Sequence, residues 1–135
     1  LDEARGVLAA QGTLTYVNRS PDTLRELFLH QHLNAFRPGS RWSATDQAEG
    51  RLRFQRLPDP AHAYERFTAP VTVNGVAATV TYPGAPDSTV AHVALPRPLA
   101  PGDSIVVGLS WEARPSTTLR RQGRRGRSFD FAQWY

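Results

Sequence analysis

Apolar and polar residues alternate with a period of two along almost the whole chain, and a helix built on that period would scatter its apolar side chains around the axis. Leu8, Ala10, Leu14 and Tyr16 alternate with Ala9, Gln11, Thr13 and Thr15, which describes a strand with one buried and one wet face. Asn18-Arg19-Ser20-Pro21-Asp22 then supplies turn chemistry: Pro fixes φ, and Ser and Asp can bond nearby backbone amides. From Leu24 to Asn34, Leu27, Leu29 and Leu33 share one side while Phe28, His30 and His32 share the other, the pattern of a central strand. Val71 and Val73 lead into Asn74-Gly75, and Val76, Ala78, Val80 and Tyr82 follow. Asn-Gly between alternating apolar stretches is the strongest short-range hairpin signal. Val90 to Leu95 reads as a further strand, separated by the Pro96 to Asp103 segment from Ile105, Val107, Leu109 and Trp111. The final residues, Phe129 to Tyr135, alternate again with aromatics on both faces, so a strand there must be covered on both sides.

These segments predict an all-β fold, an antiparallel two-layer β-sandwich of about eight strands, with a closed barrel as the runner-up. No convincing helix stands out. Between Arg37 and Gly50 the alternation lapses into a long connection, anchored by Trp42 and with room for one helical turn. Regularity returns at Leu52 and Phe54 before Pro58-Asp59-Pro60 breaks it. At 135 residues and 40% hydrophobic content the chain is one domain, able to bury its own core without a staple. It has no Cys, which excludes disulfides, thiolate metal sites and a cysteine nucleophile. Val7 to Ala10 is too short an apolar run for a signal-peptide core or a membrane span. With no initiating Met and no polar tail after the terminal aromatics, residues 1–135 are expected to be one β-sandwich domain cut from a longer protein.

Every one of the 16 basic residues is Arg, and their placement is uneven. The last 22 residues hold six Arg against the single acid Asp130, whereas the preceding 113 hold ten Arg and eleven acids. The net charge of +4 is therefore a property of one segment, Arg120 to Arg127, which reads as a mobile loop between the last two strands. Beside Phe129, Phe131 and Trp134 it sketches an RNA-binding surface of cations and stacking rings. The sketch fails on the aromatics, which follow core-like alternation, so no nucleic-acid partner is expected.

Few residue sets suggest chemistry. His30 and His32, at i and i+2 of a strand, would project from one face and could hold two corners of a zinc site, but His62 and His92 are the only other histidines. The amphipathic reading of the pair is the simpler one. Asp46 and Glu49 resemble a carboxylate pair, yet their setting reads as a loop where acids serve turns and caps. No Ser lies in G-x-S-x-G, and a chain without Lys has no phosphate-binding G-x-x-x-x-G-K-[ST] loop.

Taken in order, three pieces resemble the N-terminal β domain of the aminopeptidase N-like zinc metallopeptidases, the gluzincins. They are Gly12 to Leu24 running through Leu29-His30 to Asn34-Ala35-Phe36, then Leu95-Pro96 through Leu99-Ala100-Pro101-Gly102-Asp103 to Trp111, and the terminal Phe131-Ala132-Gln133-Trp134-Tyr135. The resemblance implies a non-catalytic domain that walls the active-site cleft. Zinc and the peptide-hydrolysing H-E-x-x-H would lie in a downstream catalytic domain of the same chain, with none of that set in this segment. It also implies that Gln133 meets the amino group of a peptide substrate, that Trp134 and Tyr135 pack between domains, and that the protein is secreted or in the cell envelope. The rival reading is a free-standing binding or adhesion module for protein or carbohydrate, using aromatics such as Trp42 and Trp111. Against it, Trp111 shares its face with Ile105, Val107 and Leu109 and is expected to be buried.

Overall fold

The computed structural model describes residues 1–51, 53, 54, 57, 62–117 and 122–131. Its strands, in chain order, are β1 (Leu8–Val17), β2 (Leu24–His30), β3 (Tyr64–Phe67), β4 (Thr72–Val73), β5 (Val76–Ala77), β6 (Thr79–Thr81), β7 (Val90–Leu99), β8 (Ser104–Arg114), β9 (Gly123–Arg125) and β10 (Ser128–Asp130). One α-helix, α1 (Arg41–Ala48), and one 3-10 turn, His32–Ala35, complete the described elements. The fold is all-β with antiparallel pairing throughout.

The first sheet runs β1-β8-β4-β5, with β3 also on β8, and the second runs β2-β7-β6. β1 lies on β8 over its full length, from Leu8 opposite Ala113 to Val17 opposite Ser104. Val73, Ile105 and Val107 of the first sheet meet Val93 and Leu99 of the second in one apolar cluster, as the alternation requires of two sheets packed face to face. That shared cluster is consistent with a β-sandwich. Gly108 lets β4 lie tightly on β8, because a Cβ there would stand 2.5 Å from Thr72 Oγ1.

The Asn74-Gly75 hairpin forms as expected. Val73 pairs with Val76, and both turn residues take positive φ, 50° and 80°, which matches the twist of the flanking strands. Ala78 then donates its N–H to Val71 O at 2.8 Å, and the chain leaves the first sheet for β6 in the second.

Elsewhere the structure departs from the sequence reading. β2 is an edge strand rather than a central one, with β7 between it and β6. It also stops at His30, because Leu33 and Asn34 are both buried, 1% and 3% exposed, and consecutive burial forces the chain to coil instead of alternate. β7 continues through Pro96 and Pro98 to Leu99, past the expected end at Leu95. The Arg37 to Gly50 connection holds two turns of helix rather than one at most. Ser40 caps α1, its Oγ accepting the Ser43 N–H at 3.0 Å. Trp42 is the anchor expected, with Phe36 and Phe54 meeting its ring edge-on at 4.9 and 5.1 Å. Phe54 lies in a turn and not in a strand, while Leu52 falls outside the described residues.

The arginine-rich segment is not wholly a loop. Gly123–Arg125 pairs with Ser128–Asp130 as a short hairpin. Arg124 donates its N–H to Ser116 O and its Nε–H to Pro115 O, and Arg127 reaches Glu3 Oε2 at 3.0 Å, so the hairpin is tied to the body of the protein. The terminal strand is described only to Asp130, with Phe131 following it.

Candidate functional site

β3 shows why an acid can end up between sheets. Its pairing with β8 places Glu65 opposite Ala113 and Phe67 opposite Trp111, which puts both on the inward face, while Tyr64 and Arg66 point outward. Glu65 thus occupies a position whose phase calls for an apolar residue. Beside it, the 3-10 turn and the connection from β6 to β7 flank an open pocket of about 430 Å³, whose walls include Gln31, Arg37, Tyr64, Glu65 and Tyr82.

Asn34 clamps this end of the fold. Its Nδ2 donates to Glu65 O at 2.9 Å and to Ser88 O at 2.7 Å, and its Oδ1 accepts the Glu65 N–H at 2.9 Å. One side chain therefore joins the 3-10 turn, β3 and the β6–β7 connection, with its hydrogen-bonding capacity nearly filled. Gln31 is less well served. Its backbone N–H reaches Thr89 O at 2.8 Å and its Oε1 accepts the Tyr82 hydroxyl proton at 2.9 Å, yet its buried Nε2 has no hydrogen-bond partner among the described residues.

The electrostatics follow from burial. Desolvation pushes the Glu65 carboxyl up to about 7, against a weaker opposing hydrogen bond from the Leu33 backbone. Burial also raises the Tyr82 phenol, and the Glu65 charge reinforces it. Arg37 lies on the same wall but donates to the carbonyls of Pro86 and Asp87, at 3.0 and 3.4 Å. The result is a half-buried carboxyl that changes charge near neutrality, faced by a phenol and an incompletely bonded amide. Such a site can hold a cation or exchange a proton.

The other polar clusters brace the fold. Asp46, 1% exposed, accepts from Arg53 Nε at 3.1 Å and Arg51 Nε at 3.1 Å, and these bonds, Arg53's first, hold its carboxyl below the usual range. It belongs to α1 rather than to the loop expected, and Arg51 also contacts Glu49, so the two acids share a cation. Glu112 accepts from Tyr64 at 3.0 Å and from Arg66 Nε at 2.7 Å. Burial drives the Glu112 carboxyl up, but these partners outweigh it and leave the group lowered. His62 Nε2 accepts the Thr117 backbone N–H at 2.9 Å, so a neutral ring carries its proton on Nδ1. Ser116 Oγ lies 2.9 Å from the same nitrogen, but at 1% exposure it is sealed from any substrate.

Of the residues singled out from sequence, His30 and His32 do come together, their rings stacked at 4.7 Å, although only His30 is in a strand. Burial first, then the His30 charge, lowers the His32 imidazole. His92 instead bonds Glu26 Oε2 at 2.6 Å on the outer face of the second sheet. No group of three His, Asp or Glu suited to a metal ion occurs among the described residues. Trp111 is on the inward face as expected, but it is half-buried rather than buried. Gln133, Trp134 and Tyr135 lie outside the described residues, so their expected roles stand apart from the geometry above. Glu65, Gln31 and Tyr82 were not anticipated. The available signal was Glu65 itself, an acid in phase with Ala63 and Phe67.

No family model, curated protein or solved structure matches the chain. No helix among the described residues is long and apolar enough to cross a membrane.

Proposed function

We propose that the chain is the non-catalytic N-terminal β domain of a secreted or envelope zinc aminopeptidase-type metallopeptidase, walling the cleft of a downstream catalytic domain that hydrolyses peptides. The observation that supports this reading is how the buried acids are used: Asp46 is held by Arg51 and Arg53, and Glu112 by Tyr64 and Arg66, so both stiffen a scaffold. A wall needs that rigidity more than it needs reactive groups. In this proposal zinc belongs to the downstream domain, and no step is routed through it here.

The deciding test is the reading frame beyond Tyr135 in the same gene, together with assays of both proteins. The expected result is H-E-x-x-H with a later Glu, chelator-sensitive cleavage of aminoacyl reporters by the full-length protein, and none by purified residues 1–135. A frame without that motif overturns the proposal. The second reading, a binding module, is favoured by the Glu65 cavity.

A further inference from the structure

In the 430 Å³ pocket beside Glu65 two polar side chains are incompletely bonded, which packing alone does not require. Among the described residues, Glu65 has only a backbone hydrogen bond to offset its burial. The cations on the same wall are committed elsewhere, Arg66 to Glu112 and Arg37 to the Pro86 and Asp87 carbonyls. Gln31 keeps a buried Nε2 without an acceptor while its Oε1 is occupied by Tyr82. If the Gln31 amide turns over, Nε2 donates to the Tyr82 oxygen and Oε1 is left needing a donor. Both groups are then completed by one incoming species that carries several N–H donors and a positive charge.

We propose that this cavity binds an alkylammonium group, its nitrogen seated against the Glu65 carboxylate and the Gln31 amide and its carbon chain along the Tyr82 ring. A primary ammonium offers three donors on a compact charge, which suits one carboxylate and one amide oxygen. A divalent metal would need about six oxygen ligands and finds a single carboxylate. An anion would be repelled by that carboxylate. Residues 1–135 contain no lysine, so no lysine side chain of this segment or of a second copy of it fills the site. The group comes from outside this segment, as a free small amine or as a lysine side chain. This inference does not rest on the aminopeptidase reading.

Carboxyl-detected NMR of the whole chain tests it, with butylammonium chloride as the probe and sodium chloride at equal ionic strength as the control. The ionisable groups lining the cavity besides Glu65 are Tyr64, Tyr82, Arg37 and Arg66. Because the amine binds the ionised carboxylate, the Glu65 titration midpoint should fall by about one pH unit once the amine reaches roughly ten times its Kd. The Gln31 side-chain amide resonances should move with it. Glu65→Gln, which preserves side-chain size, should weaken binding by at least about tenfold, with its backbone amide spectrum reporting that it is folded. The midpoint shift in the unmodified protein needs no variant. A midpoint that responds alike to butylammonium and sodium chloride, or equal binding by Glu65→Gln, overturns the proposal. A lysine peptide that reproduces the shift while its Nε-acetylated form does not would identify a protein partner. A response to the free amine alone would identify a small metabolite.

Discussion

Between the two sheets, Val93 and Val107 meet across an apolar layer, and contact is all that either contributes. At the end closed by the 3-10 turn, Asn34 and Gln31 join the same sheets by bonds whose distances and directions are fixed. The apolar layer is non-directional, so side chains of similar volume can replace one another at modest cost. The polar end is directional, and each donor must find its own acceptor or remain a penalty. Asn34 is nearly satisfied there, while Gln31 and Glu65 are not. The difference separates the part of the molecule that holds it together from the part that has something left to bind.

The largest effect expected from this contrast is at Asn34. Asn34→Ala removes three hydrogen bonds and strands the Glu65 and Ser88 backbone groups, so urea unfolding should show a loss of about 3 kcal/mol. Val93→Ala, in the apolar layer, should cost about 2 kcal/mol and leave the environment of the Glu65 carboxyl unchanged by NMR. A loss at Val93 larger than at Asn34 would reverse the comparison.

Glu65 supplies the next test. Its folded pKa of about 7 lies above the ordinary value of 4.5, so the folded state binds the extra proton. Its contribution to stability is full below pH 4.5 and is lost as pH rises through 7. Allowing for solvent screening on its open side, the loss should be about 1.5 kcal/mol. The difference between wild-type and Glu65→Gln unfolding free energies, followed across that window, isolates this group from His32, which acts in the opposite sense. A flat difference would remove Glu65 from the account. The smallest effect belongs to the hairpin: Gly75→Ala, at φ 80°, should cost about 1 kcal/mol without disturbing either region.

The apolar layer was legible in the sequence because its signal is local. Val71 and Val73, or Ile105 and Val107, announce an inward face by spacing alone, and Asn74-Gly75 announces its turn by backbone chemistry. α1 was not legible. Arg41–Ala48 has no apolar stripe, and it rests on the Ser40 cap and on Asp46 reaching Arg51 and Arg53 beyond the helix's own end. The edge position of β2 was hidden for a related reason, since aromatic and histidine side chains on its outer face imitate burial. Glu65 could be seen as out of phase, but Gln31 and Tyr82 became its neighbours only through pairings far apart in the chain.

The long ladder between β1 and β8 also determines how this protein comes into being. Leu8 pairs with Ala113, so more than a hundred residues must be made between the first strand and its partner. Such non-local closure is slow, on the order of milliseconds to seconds in all-β domains. During synthesis β1 leaves the ribosome early and waits as an unpaired strand, its amides available to any passing edge. The ten-pair ladder that secures the finished sheet is, for a newborn chain, the interval in which β1 is most open to a wrong partner.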